Sequence, residues 1–185
     1  MSAKTVRYDI DLEDLFGEFP DDESLRQKIG QRAIDMIRER TQEGTDKNGQ
    51  AFKAYSESYI NSLGFKAAGK SASEVNMTMF GDMLGTLDIV EQDSSRISLG
   101  WDDETQNAKA YGHISGYEGH PTIKAGPKRD FFGLTKAQVK SLTDEFRDEV
   151  SAATRERDTD EPQASQEDQD TLGIISLIER FQDEL

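Results

Sequence analysis

The chain has 185 residues and carries 22 basic against 37 acidic side chains, for a net charge of −15. Such a balance argues against gripping a phosphate backbone, which needs clustered Lys and Arg; it keeps the chain soluble, or lines a passage through which DNA slides without sticking. The absence of cysteine excludes disulfides and thiolate metal sites, and no stretch approaches the roughly 18 apolar residues of a membrane span.

The opening residues, MSAKTVRYDIDLEDLF, have no apolar run after their Lys and Arg. A signal peptide is therefore not expected, and the chain reads as cytoplasmic before any assembly or export. Val6, Tyr8, Ile10 and Leu12 alternate with polar residues, the period-two pattern of a half-buried strand. Pro20 and the pair Asp21-Asp22 then open a helix. Its apolar stripe is Leu25, Ile29, Ala33, Met36 and Ile37, and Arg38 and Arg40 at its far end complement the helix dipole.

From Thr41 to Gly49 the composition becomes that of a loop, with the tight-turn pair Asn48-Gly49. Phe52, Tyr55 and Tyr59 read as anchors pinning this loop and a short helix near 56–63, and residues 64–74 read as loose and solvated. Met79, Met83 and Leu87 predict a helix over 77–87, weakened by Gly81 and Gly85. Ile89-Val90 and Ile97 with Leu99 flank Asp93-Ser94-Ser95, which predicts a hairpin. Asp102-Asp103 caps a short helix over 107–111, and residues 112–128 form a long glycine-rich loop. Residues 130–134 return to strand character. Thr135 and Gln138 make a capping box, and Val139, Leu142, Phe146 and Val150 mark a helix reaching about residue 155.

Hydrophobic residues are 34% of the chain, enough for one core and not for two. The reading is an α+β core domain over 1–155, a small antiparallel sheet packed against helices with long loops. Residues 156–170 form an acidic disordered linker, because 158–170 contains no basic and no large apolar side chain to offset ordering entropy. Over 171–185, an amphipathic C-terminal helix carries Leu177, Ile178 and Phe181 on one face. A greasy helix on a soluble tether must dock, on its own core or in a groove of a neighbouring subunit.

Gly64-Phe65-Lys66-Ala67-Ala68-Gly69-Lys70-Ser71 satisfies the P-loop pattern, in which Lys70 would meet phosphates and Ser71 magnesium. Neither a buried strand before it nor a firm helix after it is predicted, so nucleotide binding is the weakest reading. His113 and His120 are the two histidines, both in the glycine-rich stretch and expected to be solvated or hydrogen-bonding loop residues. Glu118 is their acidic neighbour, too little for a metal site. Ser115 lacks nucleophile-elbow spacing. Catalytic, metal and cofactor residues are therefore not assigned. Lys124, Lys128 and Arg129 form a basic cluster suited to acidic residues of a partner protein.

Three segments together resemble the phage virion morphogenesis, or tail completion, family of Mu-like and related tailed phages. The first is the helix over 24–40 followed by Gly44-Thr45-Asp46-Lys47-Asn48-Gly49-Gln50-Ala51-Phe52 and Tyr55-Ser56. The second is Val75-Asn76-Met77-Thr78-Met79-Phe80-Gly81-Asp82-Met83-Leu84. The third is 108–116 followed by Gly126-Pro127-Lys128-Arg129-Asp130-Phe131-Phe132-Gly133-Leu134. The likeness covers about residues 24–150; the N-terminal strand and the acidic tail lie outside it.

The resemblance implies a non-enzymatic virion protein of the neck, a connector or tail terminator, forming a ring, by expectation a hexamer. Its partners would be copies of itself and other neck, connector and tail proteins. DNA would pass through the ring without sequence-specific binding, and membrane contact is not expected. It would sit in the host cytoplasm before assembly and in the virion afterwards. A soluble binding module or assembly chaperone is the competing reading, since an acidic tail and terminal helix also suit temporary capping of a partner.

Overall fold

In the computed structural model, residues 5–77, 81–118, 123 and 125–160 are described. The early alternating segment forms strand β1, Arg7–Asp11, whose Ile10 is buried. Asp11 then turns the chain by accepting the amide of Asp14 at 3.0 Å, starting the single-turn helix α1, Leu12–Phe16. The same device begins α2, Glu23–Gln42, where Asp22 accepts the amide of Leu25. The predicted stripe faces inward: its Ile29, Ala33 and Ile37 have no exposed surface, and Ile34, outside that stripe, is equally enclosed.

The hairpin expected around Asp93 is β2, Asp88–Gln92, and β3, Arg96–Gly100. All three strands make one antiparallel sheet in the order β1-β3-β2, Tyr8 opposite Leu99 and Ile10 opposite Ile97. The register of β2 slips between Ile89 and Glu91, leaving Val90 as the extra residue. Helix α2 lies close on this sheet at Gly30, where a Cβ would fall 2.5 Å from Cδ1 of Ile89. Glycine there is a matter of clearance.

The capping box at Thr135 is formed in both directions, Thr135 Oγ1 accepting the Gln138 amide at 3.1 Å and Gln138 Oε1 the Thr135 amide at 3.0 Å. It starts α7, Lys136–Asp160, which packs antiparallel to α2. Lys28 pairs with Glu149, Arg32 with Glu145, and Gln138 Nε2 donates to the Met36 carbonyl. These half-exposed ion pairs add little; the buried Leu142, Phe146 and Val150 carry the contact. The fold is α+β, a small antiparallel sheet packed against helices, as its alternation and periodicity predict.

Four segments differ from expectation. Residues 63–67 are helical, not loose: α3, Glu57–Ile60, and α4, Leu63–Ala67, follow one another, and Phe65 is buried. Of the helix predicted over 77–87, the described residues form α5, Asp82–Gly85, and Met77 at φ +53 and Gly81 at φ +87 stand outside it. Its exposed end is held from outside, Arg38 donating to the carbonyls of Leu84, Gly85 and Leu87. Helix α6, Glu104–Ser115, takes the four residues 112–115 from the start of the loop expected over 112–128, ending at Gly116 with φ +70. Residues 130–134 are a turn, not a strand, with Gly133 at φ +120.

Helix α7 also continues past residue 155, so the first residues of the expected linker are helical. A helix already anchored by several turns propagates at little further cost per residue. The remaining linker and the C-terminal helix expected over 171–185 lie outside the described residues. No helix among the described residues is long and apolar enough to cross a membrane.

The turn at 130–134 depends on one buried side chain. Arg40, at the C-terminal end of α2 and 6% exposed, donates from Nη1 to the Gly133 carbonyl at 2.8 Å and to Gln138 Oε1 at 2.6 Å, and from Nη2 to the Phe131 carbonyl. Lys47 adds its amide on the Asp130 carbonyl at 2.9 Å and its ammonium on the Asp130 carboxylate at 3.0 Å. Backbone polar groups that would otherwise seek a sheet partner are thereby satisfied by side chains.

Candidate functional site

The strongest chemical grouping lies beyond the C-terminal end of α2. Ser56 caps α3 by accepting the Tyr59 amide, and Ser62 caps α4 by accepting the Phe65 amide. The two short helices thereby stack Tyr55, Tyr59 and Phe65, with ring centroids 5.1, 5.3 and 5.5 Å apart. Phe65 stands apart from the main core, so this is a satellite cluster beneath its own loop.

Two cations sit on the Tyr55 ring. The Lys70 ammonium is 5.3 Å from its centroid and the Arg129 guanidinium 5.5 Å, within the range of cation–π attraction. Lys70 also donates to the Tyr55 hydroxyl at 3.1 Å and to Asn76 Oδ1 at 2.7 Å. Arg129 is 8% exposed. Among the described residues its guanidinium gives one hydrogen bond, from Nη2 to the Lys53 carbonyl at 3.2 Å, while Nε is buried without a partner. Burial pushes this guanidinium down from its ordinary pKa.

The segment carrying Arg129 lies along the end of α6: Gly126 donates its amide to the Gly116 carbonyl at 2.8 Å, and Arg129 to the His113 carbonyl at 2.9 Å. Tyr117, in the left-handed region at φ +58, folds its ring back over Gly112, and its centroid is 5.7 Å from that of His113. A Cβ on Gly116 would fall 2.7 Å from the Gly126 carbonyl oxygen, the neighbour's own backbone. Gly116→Ala should therefore cost about 2 kcal/mol, the left-handed strain plus the forced displacement. Chemical denaturation checks this; a loss below about 0.5 kcal/mol would show that the segment yields freely.

His113 is half-buried and belongs to helix α6, not to the glycine-rich loop. Burial, then the charge of Arg129, holds it well below its ordinary 6.5, at about 4. Its neutral form is favoured in the fold, so an unfolded chain takes up the proton first as pH falls. Stability should decline between pH 6.5 and 4, by roughly 2 kcal/mol after allowance for solvent at the ring. His113→Gln should remove this share of the acid sensitivity. Parallel pH profiles of melting temperature for the two proteins would refute it.

The residues expected to face partners divide. Lys128 is exposed and pairs with Glu118 at 3.0 Å. Arg129 is corrected to a mostly interior residue, 8% exposed, whose guanidinium lies on Tyr55 and donates to the Lys53 carbonyl. Lys124, Leu177, Ile178, Phe181 and His120 lie outside the described residues. The P-loop pattern folds as the α4 helix preceded by α3, where phosphate binding needs a strand, and Lys70 points to Tyr55 and Asn76. Ser115 Oγ donates back to the Gly112 carbonyl at 3.4 Å. Among the described residues no three His, Asp or Glu side chains converge as metal ligands would.

Sequence reasoning missed Phe65 and the buried role of Arg40. Ser62 standing three residues before Phe65 was the available signal for a helix start. Nothing local distinguishes Arg40 from the solvated arginines around it. Comparison of the chain with protein-family models, curated proteins and solved structures returns no match.

Proposed function

We propose that this chain is a structural subunit of a tailed-bacteriophage particle. It acts at the neck or at the end of the tail as one member of a ring, and it is not an enzyme. One observation carries the reading: the three segments that resemble the virion morphogenesis family, far apart in sequence, are bonded into one unit. Arg40 and Lys47 of the first hold Phe131, Gly133 and Asp130 of the third. Arg38 of the first holds the Leu84 carbonyl of the second at 2.8 Å. A likeness spread over separate motifs is more persuasive when those motifs need one another physically.

The arrangement suits the role. Interior arginines fix loops in place, leaving loop surfaces to meet neighbouring subunits and the connector or tail proteins above and below. The acidic surplus of the whole chain suits a passage through which DNA moves without sticking. In this reading the protein is in the host cytoplasm before assembly and in the virion after it.

The test is mass spectrometry of purified particles from a phage carrying the gene, with electron microscopy of particles made without it. Finding the chain in particles, and particles stalled at head–tail joining or with unfinished tails in its absence, supports the proposal. Dependence of assembly on the chain without its presence in particles would replace it with an assembly chaperone. Normal particles without the gene would end both. Lys70→Ala should leave infectivity within a fewfold of wild type in the same complementation assay. Loss of infectivity with a folded variant would reopen nucleotide binding.

A further inference from the structure

The ring reading leaves open what links one copy to the next, and the following rests on that reading. The two ends of the α2–α7 pair differ in kind. At one end lies the last described turn of α7, whose Arg157 pairs with Glu18 at 2.8 Å, together with the start of α2. At the other end, the length of the 20-residue α2 away, about 30 Å, lies the lobe of Tyr55, Tyr59, Phe65 and Arg129.

Charge divides the same way. Among the described residues of 53–76 and 112–130 basic side chains outnumber acidic ones five to four, where the whole chain has 22 against 37. Lys53 and Lys128 are exposed there. Arg129 between them lacks a carboxylate at ion-pair distance among the described residues and keeps Nε without an acceptor. A guanidinium so nearly buried is costly without a counter-charge. Residues 161–185, which continue from the acidic end, hold seven acidic side chains against one basic.

We infer that the lobe around Arg129 binds the acidic C-terminal segment of a second copy of this chain, its carboxylates approaching Lys53, Lys128 and Arg129. A donor at one end and an acceptor at the other make a head-to-tail contact, the kind that closes into rings. Within one subunit the segment would have to run back along an acidic body, against like charge. Fully extended, its 25 residues reach at most about 85 Å, ample for the next copy.

The chain's lack of cysteine allows a direct test on the full-length protein. Two single-cysteine variants, Ser165→Cys and Ala54→Cys, carry different affinity tags and are mixed under mild oxidation. Disulfide-linked heterodimer should form about tenfold more than in a mixture of Ser165→Cys with Ser94→Cys, because docking raises local concentration. It should fall in about 0.5 M salt, and in Arg129→Met, a variant chosen to keep the packing and checked by circular dichroism. Should Arg129→Met fail to fold, Glu167→Gln with Asp168→Asn and Asp170→Asn tests the other side of the contact.

In a further variant carrying both Ser165→Cys and Ala54→Cys, bridging confined to single chains would overturn the inference in favour of docking on the same subunit. Heterodimer at the control yield, or unchanged by neutralising either side, would overturn it outright. Rings seen by electron microscopy without this bridging would leave the ring reading standing while the tail contact fails. Bridging without rings or particle incorporation would do the reverse.

Discussion

Arg40→Met lowers the free energy of unfolding by roughly 3–5 kcal/mol, the range for breaking a buried charged network from one side. Three acceptors lose their donor at once: the carbonyls of Phe131 and Gly133, and Gln138 Oε1. Each charge-assisted bond is worth about 1.5–3 kcal/mol. Removing the guanidinium also returns the cost of desolvating it, which is why the expected loss is smaller than the sum of its bonds. Burial is the main cause lowering the Arg40 pKa, with Asp46 opposing it, consistent with a charge held by dipoles in place of a paired carboxylate.

Arg40→Lys should cost about 2 kcal/mol, because one ammonium cannot span acceptors arranged for a planar fork. Urea unfolding measures both variants. A loss under about 1 kcal/mol for Arg40→Met, at unchanged denaturant dependence, would mean that the turn holds without its clamp.

That clamp marks the boundary of what the sequence makes legible. Strand β1, helix α2, the hairpin and the capping box of α7 are local patterns, each set by alternation, a stripe or a pair of residues three apart. They fold as read because local preference and tertiary packing agree. The segment at 130–134 has strand-like composition, Phe131 and Phe132 together, yet becomes a turn because Arg40, some ninety residues earlier, supplies donors to its carbonyls. No window around Phe131 contains that information.

The candidate site divides along the same line. Tyr55 and Tyr59 are legible as anchors from their aromatic character beside a loop. Phe65 is hidden in a stretch of small and polar residues that reads as solvent-exposed, and its burial depends on meeting both tyrosines. Arg129 looks like an exposed cation because Lys128 adjoins it, but successive residues of an extended segment point opposite ways. Lys128 accordingly meets Glu118 in solvent while Arg129 turns in to Tyr55.

Phe131→Ala should destabilise the protein by about 3–5 kcal/mol, the usual cost of removing a fully enclosed phenyl ring. Phe131 has no exposed surface, and its ring lies 6.2 Å from both Trp101 and Phe132, so its loss leaves a cavity that two large rings cannot close without moving. Unlike Arg40→Met, this change keeps the Phe131 carbonyl and its bond to Arg40. The double variant therefore asks whether 130–134 is one cooperative latch. If the ring and the clamp each hold the same turn, removing the second costs less once the first is gone, and the double falls short of the sum by about 1–2 kcal/mol. Folded domains often have no more than about 5–15 kcal/mol in total, so the four proteins are best compared with an osmolyte that favours the compact state. Additivity within about 0.5 kcal/mol would show that the carbonyls and the ring are held independently, and the turn would then be two adjacent contacts and not a latch.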